Sequence, residues 1–351
     1  MLLEFVAATL TAQLQPAAPL FMLTNRGIRN GAWMRDAQGD HLRLYRLKEP
    51  NVFGPNKPPR VGNKVADFVL EPGSPDHSAR ELLALAQSTA ATRNALLVFY
   101  IHGFNNDVQD AMDTAWLFRR DFTSQGVAPV VVSITWPSDD RLMRYNQDKV
   151  DAVRAGVPVG EFLRLLGEER PPATEGMRVV IITHSMGAVV LSRAAEAIFR
   201  TGAPRRPIAD EISMIAADLA RSDLDTDKFG GKISRLSRHV TAYFSVNDVA
   251  LAGSGLLRFS TGGRLGSQGA LDYTKVPANF DFVNASRDVK PGRNGILGPV
   301  ESHGIYWHNA TFMTDFIPLV QGRPLPAGYR EKINGRLWKL IRPQNSSETE
   351  P

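Results

Sequence analysis

The chain has 351 residues, of which 43% are hydrophobic and 22% are charged, proportions that exclude collagen-like, coiled-coil and wholly disordered proteins. The formal net charge is +5, but the basic residues form no run of five or six, so we predict no nucleic-acid partner. Cysteine is absent, which excludes disulfides, a thiol nucleophile and zinc sites with cysteine ligands.

The N-terminal residues 1–20 are fairly apolar, but Glu4 interrupts them and no basic stretch precedes them, so they make a poor secretory signal. Other apolar runs, such as residues 95–101, are far shorter than the ~18 residues that a membrane-spanning helix needs. We therefore expect no membrane span and a cytoplasmic protein, with a periplasmic or secreted location left open.

The segment up to residue 75 is rich in proline, glycine and asparagine and contains three strand-like pieces. We expect these pieces, Pro19–Thr24, Leu42–Leu47 and Lys64–Leu70, to supply an antiparallel edge to a sheet. A helix is predicted at about Ala79–Ala91, before the first strand of the main domain.

From about residue 95 the chain alternates between short β-branched apolar runs and longer segments with helical spacing, such as residues 111–122 and 190–198. This alternation predicts an α/β fold, in which crossover helices connect the strands of a parallel sheet. The predicted strands are Leu96–Ile101, Val130–Trp136, Arg178–Thr183, Glu211–Ala216 and His239–Ser245.

Downstream of these strands, residues 253–290 are rich in glycine, and we expect them to be an irregular excursion over one end of the sheet. A helix is predicted from about Asn309 to Val320, and residues 344–351 are polar and predicted to be disordered. We divide the chain into an N-terminal extension (1–75), a main domain (76–322) and a C-terminal extension (323–351).

One serine lies between a predicted strand and a predicted helix, in the run THSMG at residues 183–187. The nucleophile elbow has the pattern G-x-S-x-G, in which small residues flank the serine because the turn is sharp and strained. Gly187 fits this pattern, whereas Thr183 replaces its first glycine. We predict that Ser185 is a nucleophile, although an S-x-G triplet alone is more often only the beginning of a helix.

A serine hydroxyl is a weak nucleophile at neutral pH, so it needs a base and a carboxylate that orients the base. In this fold class the acid and then the histidine follow the serine along the chain. Asp248 comes just after the strand His239–Ser245, and His303 lies in a loop beside a glycine. We predict these two residues as the acid and the base.

Alternatives remain for both roles. Asp248 has the alternative role of a turn former or helix cap. His308 is a rival base, but it begins the following helix, whose N-terminal partial charge disfavours an imidazolium. Asp218, Asp223 and Asp225 are rival acids, and the charged stretch that follows Asp218 indicates solvated surface.

The run HGFNN at residues 102–106 follows the strand Leu96–Ile101, where hydrolases of this architecture place an oxyanion-hole N–H group. The predicted donors are the backbone N–H groups of Phe104 and Met186. Gly103 would let the main chain approach closely, and we expect His102 to brace the loop by hydrogen bonding. The side chain of His184 is expected to point away from the serine.

Trp136, Tyr145 and the glycine-rich residues 253–269 follow strand ends on the same face, so we expect an aromatic-walled cleft for a short acyl group. The run Gly253-Ser254-Gly255 lacks the third glycine of a dinucleotide site, and no P-loop lysine follows a glycine cluster. The seven histidines form no pair with helical metal-ligand spacing. We predict no cofactor and no metal.

Several sequence blocks together resemble a bacterial α/β-hydrolase family long labelled as of unknown function. The blocks are TNR at 24–26, HGFNN at 102–106, TWPS at 135–138 followed by Tyr145 and Asp148, HSMG at 184–187, and SVNDVAL at 245–251. The resemblance extends over about residues 20–320. It implies the α/β-hydrolase fold, a mostly parallel central sheet covered by helices on both faces, with a serine triad at Ser185, Asp248 and His303.

The predicted activity is that of an esterase-like serine hydrolase, which cleaves a small carboxylic ester through an acyl-enzyme intermediate. Amide, thioester or lactone cleavage and acyl transfer use the same machinery and stay open as alternatives. A further alternative is a non-catalytic hydrolase-fold module that binds an acyl ligand or a protein. The catalytic machinery is expected within residues 76–322.

Overall fold

The computed structural model describes residues 19–37, 39–48, 58, 60–62, 64–90, 95–138, 144–171, 177–248, 251, 263–288 and 303–342. Its strands are β1 (Leu20–Thr24), β2 (Arg26–Arg29), β3 (Ala32–Ala37), β4 (Arg43–Leu47), β5 (Phe68–Leu70), β6 (Ala95–Ile101), β7 (Ala128–Thr135), β8 (Met177–His184), β9 (Ala209–Ile215), β10 (Ser237–Phe244), β11 (Phe280–Asn284), β12 (Arg330–Asn334) and β13 (Leu337–Leu340). Its α-helices are α1 (Pro75–Ala90), α2 (Val108–Ser124), α3 (Tyr145–Glu169), α4 (Gly187–Thr201), α5 (Phe229–Lys232), α6 (Leu265–Gln268) and α7 (Ala310–Gln321). Single 3₁₀ turns cover Val65–Asp67, Ile233–Leu236 and Ile305–His308.

Most of these strands form one 11-stranded sheet in the order β12-β13-β11-β10-β9-β8-β6-β7-β1-β4-β5, while β2 and β3 pair separately. Neighbouring strands from β13 to β1 are parallel. The pairs β12–β13, β1–β4 and β4–β5 are antiparallel and lie at the two edges. The mostly parallel sheet that the alternating pattern predicts is confirmed.

Helices cover both faces of this sheet. In β6, Leu97 and Phe99 belong to the apolar core that also contains residues of α1, α3 and α4. Leu96 and Val98 point the other way, into the core that contains residues of α2 and α7. Strands that are buried on both sides need apolar residues at successive positions, which is why the central strands lack the polar alternation of a half-exposed sheet.

The five strands predicted for the parallel sheet are all present, with ends shifted by at most a few residues. The N-terminal pieces also form strands, but β1 is parallel to β7, so the antiparallel edge begins only at β4. The excursion predicted over residues 253–290 contains α6 and β11, and β11 extends the sheet. Residues 344–351 lie outside the described part of the chain, as do residues 252–262.

The strands of both chain ends join the main sheet: β1, β4 and β5 lie on one side, and β12 and β13 on the other. The three-part division of the chain stays a prediction. Among the described residues, no helix has both the length and the apolar character required to cross a membrane.

The segments that carry the candidate site residues follow neighbouring parallel strands. Residues 102–106 follow β6, residues 185–187 follow β8, residues 216–218 follow β9, and residues 245–248 follow β10. Because parallel strands end at the same edge of a sheet, these segments lie close together at the edge where α/β proteins bind ligands.

Candidate active site

Ser185 forms a strained turn between β8 and α4. Its φ angle is 51°, in the left-handed region that is costly for a residue with a side chain. Its N–H donates to the Ile215 carbonyl at 3.0 Å, and its own carbonyl accepts from the Asp218 N–H at 3.0 Å. The end of β9 and the segment after it therefore bind both backbone polar groups of Ser185.

Two glycines allow the backbone to pack closely around this serine. A Cβ atom on Gly187 would lie 2.3 Å from the Ile101 carbonyl oxygen, and one on Gly103 would lie 2.9 Å from the Ser185 Cβ. Thr183, which stands where the elbow pattern has its first glycine, is fully buried within β8. Its branched side chain is thus accommodated in the sheet core before the turn begins.

Asp248 and His303 form a hydrogen-bonded pair. The His303 Nδ1 atom lies 2.7 Å from the Asp248 Oδ2 atom, and Asp248 is 0% exposed. The other carboxylate oxygen accepts the Leu251 N–H at 3.1 Å, and the Asp248 N–H donates to the Ser245 carbonyl at 3.1 Å. The carboxylate is therefore fixed, and it contacts Nδ1 rather than Nε2 of the ring.

The surroundings of His303 favour its protonated form. Burial favours the neutral ring, but the charge of Asp248 and the hydrogen bond to it outweigh this effect, and the charge of Asp218 adds to them. The pKa of His303 is consequently raised above its usual value of 6.5. A base with a raised pKa accepts a proton more readily, and the carboxylate stabilises the imidazolium that results.

His184 contacts His303 through a hydrogen bond and through its ring, and these contacts were not predicted. Its Nε2–H donates to the His303 carbonyl at 3.0 Å, and the two rings lie 4.6 Å apart between centroids. Burial and the charge of His303 lower the pKa of His184 to about 3, so this ring stays neutral. No local pattern around residue 184 indicated a contact across 119 residues of sequence.

His102 makes its contacts within and next to the loop after β6. The His102 Nδ1 atom lies 2.8 Å from the Gly103 carbonyl oxygen, and the ring stacks on Trp136 at 5.2 Å with an interplanar angle of 8°. Burial, followed by the charge of Arg26, lowers the pKa of His102 to about 3. In the described part of the chain, the backbone N–H groups of Phe104 and Met186 donate to no acceptor.

Arg26 braces the far end of the same loop, a role that the sequence did not reveal. Its guanidinium donates to the carbonyls of Asn106 and Ser138, at 3.3 Å and 3.5 Å. Thr24, two residues earlier, donates its hydroxyl to the Thr135 carbonyl at 2.6 Å. The N-terminal TNR block thus supports the segments that follow β6 and β7.

The aromatic residues predicted to wall a cleft make other contacts. Trp136 is fully buried under His102 and donates its indole N–H to the His102 carbonyl at 2.8 Å. Tyr145 donates its hydroxyl to Asp218, and its ring packs against Phe104 at 5.3 Å. A cavity of about 460 Å³ lies elsewhere, beside His184 and Gly304, and neither aromatic residue lines it. Their part in a substrate cleft stays a prediction.

Asp218 is buried, so its assignment to solvated surface is wrong. It is 1% exposed, it accepts the Tyr145 hydroxyl, and its Oδ1 atom lies 3.2 Å from Arg264 Nε. The sequence missed this environment because Arg264 comes from the glycine-rich segment that was expected to be irregular. The other rival acid Asp223 accepts the Ala220 N–H at 2.8 Å, a local turn contact.

The remaining rivals are not part of the acid–base pair. Asp225 makes local backbone contacts with Ser222 and Lys228, and His308 is exposed at the end of the 3₁₀ turn that precedes α7. Within the described ranges, no group of three or more histidine, aspartate or glutamate side chains has an arrangement that would hold a metal ion.

Comparison with known families agrees with this architecture. The family model described as "Alpha/beta hydrolase of unknown function (DUF900)" matches residues 77–280, more than half of the chain. The match includes Ser185 and Asp248, whereas His303 lies beyond its end. No curated protein matches the chain. The fold is the α/β-hydrolase fold, the family supports a hydrolase, and the chain belongs to this family of α/β hydrolases of unknown function.

Proposed function

We propose that the protein is a serine hydrolase that cleaves a carboxylic ester of a small molecule. Ser185 attacks the acyl carbonyl, and His303 accepts the serine proton at Nε2. Asp248 holds the imidazole in the tautomer that this transfer needs. The N–H groups of Phe104 and Met186 stabilise the negative charge that develops on the carbonyl oxygen.

The observation that supports the proposal most is the 2.7 Å contact between His303 and a fully buried Asp248 carboxylate. The same histidine contacts His184, which directly precedes a serine with a φ angle of 51°. Burying a carboxylate and straining a turn both reduce stability. A module that only binds an acyl ligand has no need of either feature, whereas a nucleophile and its base require both.

The proton moves through His303 twice. When Ser185 attacks, its proton goes to Nε2 and a tetrahedral oxyanion forms. When that intermediate collapses, the bond to the leaving alcohol breaks and the alcohol takes the proton from Nε2, which leaves Ser185 acylated. A water molecule then gives a proton to Nε2 while its oxygen attacks the acyl carbonyl. When this second intermediate collapses, the bond to the Ser185 oxygen breaks and that oxygen takes the proton from Nε2, so that a carboxylic acid is released and the serine is restored.

The proposal predicts that Ser185→Ala abolishes hydrolysis of p-nitrophenyl acetate and labelling by a fluorophosphonate probe, while circular dichroism stays as in the wild type. Removing a triad nucleophile costs about 10⁶ in turnover. Ser88→Ala is the control, because Ser88 is an exposed serine on α1 that contacts only its own helix; this variant should be labelled and active.

Retention of a tenth of the wild-type activity in Ser185→Ala would exclude Ser185 as the nucleophile. A folded wild-type protein that is neither labelled nor active would instead support a non-catalytic binding module. Matched acetyl amides, thioesters and lactones, together with an alcohol acceptor in place of water, separate the ester hydrolase from the amidase and acyltransferase alternatives.

A further inference from the structure

The cavity of about 460 Å³ is lined by the chain neighbours of the candidate nucleophile and base. Its lining includes His184, which precedes Ser185, and Gly304, which follows His303. Tyr100 at the end of β6 and residues of α2 complete its walls. No residue of this cavity has a part in the proposed transfer of the proton, so its purpose is not explained by the chemistry above.

The position of the base determines which half of an ester would enter this cavity. His303 must deliver a proton to the oxygen of the leaving alcohol, so the alcohol has to lie on the side of the imidazole. The acyl group lies on the side of the oxyanion donors, near Phe104 and Met186. A cavity lined by His184 and Gly304 is therefore placed for the alcohol.

The walls of the cavity combine aromatic rings with polar groups of both signs. Trp116 and Trp307 contribute the aromatic surface. Asp110 and Asp113 contribute carboxylates, and Arg120 contributes a guanidinium that lies 5.2 Å over the Trp116 ring. Asp110 accepts the Asp107 N–H at 3.1 Å, and Asp113 accepts from the Gln109 amide at 2.5 Å. Among the described residues, the guanidinium forms an ion pair with Asp121 through Nε, at 2.6 Å.

This combination selects against a ligand of single charge, because either sign would meet a like charge in the wall. A hydroxyl group both donates and accepts hydrogen bonds, so it can bind a carboxylate and a guanidinium at once. A ring or chain with several hydroxyls also has C–H faces that pack on indole rings. These requirements describe a neutral polyol or sugar.

We propose that this cavity binds the alcohol half of the substrate and that this alcohol is a neutral polyhydroxylated group, a sugar or a polyol. The inference rests on the proposed esterase function, and it adds that the alcohol, rather than the acyl chain, determines specificity.

The test keeps the acyl group constant and varies the alcohol. The wild-type protein is assayed with a glucose monoacetate and with cyclohexylmethyl acetate, and each kcat/KM is divided by the rate of alkaline hydrolysis of the same ester. We expect the sugar ester to be preferred by about tenfold or more, the effect of one hydrogen bond to a charged group. A ratio near one would overturn the inference.

Three variants locate the preference in the cavity. Arg120→Met and Asp113→Asn each remove one polar wall group, and Leu117→Trp fills space, since Leu117 also lines the cavity. Each should reduce the sugar preference by about tenfold. Arg164→Met is the matched control, because Arg164 pairs with Glu168 on the surface of α3; it should keep the wild-type preference. A preference that all three cavity variants retain would also overturn the inference.

The failure of this inference and the failure of the proposed function give different results. A protein that reacts with the fluorophosphonate probe and cleaves p-nitrophenyl acetate, but does not prefer the sugar ester, keeps the proposed function and loses the inference. A folded protein that is unlabelled and cleaves no ester loses both.

Discussion

Two carboxylates act on His303 and differ in what they bind. Asp248 accepts a hydrogen bond from the imidazole itself. Asp218 contributes only its charge to His303, because its own oxygens face Tyr145 and Arg264. Asp248 is thus placed to hold the tautomer of the base, whereas Asp218 contacts the elbow through its backbone N–H, which donates to the Ser185 carbonyl.

We predict different losses of activity for the two aspartates. Asp248→Asn should reduce turnover by about 10⁴, within two orders of magnitude, because an amide presents the wrong tautomer to the imidazole. Asp218→Asn should reduce it less than about tenfold, since the amide still accepts the Tyr145 hydroxyl and makes no contact with the ring. Turnover of p-nitrophenyl acetate by each folded variant measures both effects.

The pH profile separates electrostatic from geometric effects. The proposed mechanism needs neutral His303, so it predicts that kcat/KM falls as the pH drops through the pKa of His303, which is raised above 6.5. Both aspartates raise that pKa, so either asparagine variant should move the acidic limb to lower pH, and Asp248→Asn should move it further. The exposed Asp227→Asn variant is the control, and its acidic limb should lie at the wild-type pH.

The turnover comparison also decides between the two acids. If Asp218→Asn reduced turnover more than Asp248→Asn, Asp218 would be the acid.

At the scale of single residues, the sequence indicates a candidate site residue where its chain neighbours form a recognisable pattern. It does not indicate contacts between residues that are far apart in the chain. Ser185 is marked by a strand, a glycine and a helix that adjoin it in the chain. The contact of Asp218 with Tyr145 spans 73 residues, and nothing near Asp218 in the sequence indicates it. The contact of His184 with the His303 carbonyl was likewise not predicted, because it joins residues 119 positions apart in the sequence.

Another histidine, His239, connects three neighbouring strands away from the candidate site. His239 in β10 lies between Glu211 in β9, 2.8 Å from its Nδ1, and Asp281 in β11, 3.2 Å from its Nε2. Burial opposes the charge on the ring, but the hydrogen bonds and charges of the two carboxylates outweigh it and raise the pKa of His239 to about 9. The protonated ring therefore links the three strands β9, β10 and β11 near their amino-terminal ends.

This cluster predicts a dependence of stability on pH. The pKa of His239 is higher in the folded than in the unfolded chain, so the protonated ring stabilises the fold fully below about pH 6.5. That contribution is lost progressively as the pH rises through about 9. Urea unfolding at pH 6, 7.5 and 9 should show a falling free energy of unfolding in the wild type.

The variant His239→Gln tests the origin of this dependence. It should lower the free energy of unfolding at pH 6 by about 1–3 kcal/mol, because the buried Glu211 loses its partner, and the decline between pH 6.5 and 9 should become shallower. A variant with the wild-type slope over this range would show that other groups cause the decline.

Among the elements, the sequence predicted the central strands and the edge strands β4 and β5. It missed β11, β12 and β13 at the other edge and the separate pair β2–β3. In β8, residues 179–182 are apolar at every position because both faces of the strand are covered, and this pattern is visible locally. The strand β12 reads REKIN and is largely exposed at the sheet edge. Such a strand needs no apolar run, and charged residues are typical of sheet edges, so its sequence does not distinguish it from a loop.

The C-terminal strands are connected to the centre of the molecule through one buried ion pair. Arg330 in β12 binds Asp315 in α7 at 2.7 Å and 2.9 Å, and it donates to the Tyr243 hydroxyl in β10 at 3.0 Å. Asp315 is fully buried. Since α7 follows the segment that carries His303, this network joins the sheet edge, the core and the chain next to the candidate base.

Arg330→Met should therefore destabilise the whole fold by about 3–5 kcal/mol, because it leaves the Asp315 carboxylate buried without its cation. Lys339→Met is the control on the same hairpin: Lys339 is 3.9 Å from Glu331 and both side chains are exposed, so its loss should cost less than about 1 kcal/mol. Urea unfolding measures both effects.

The double variant Arg330→Met with Asp315→Leu should recover part of the lost stability, because no charge then remains buried. If Arg330→Met were no less stable than Lys339→Met, the hairpin would be held by its strand pairing with β11 alone, and the buried charge would have to be stabilised by the Tyr243 hydroxyl.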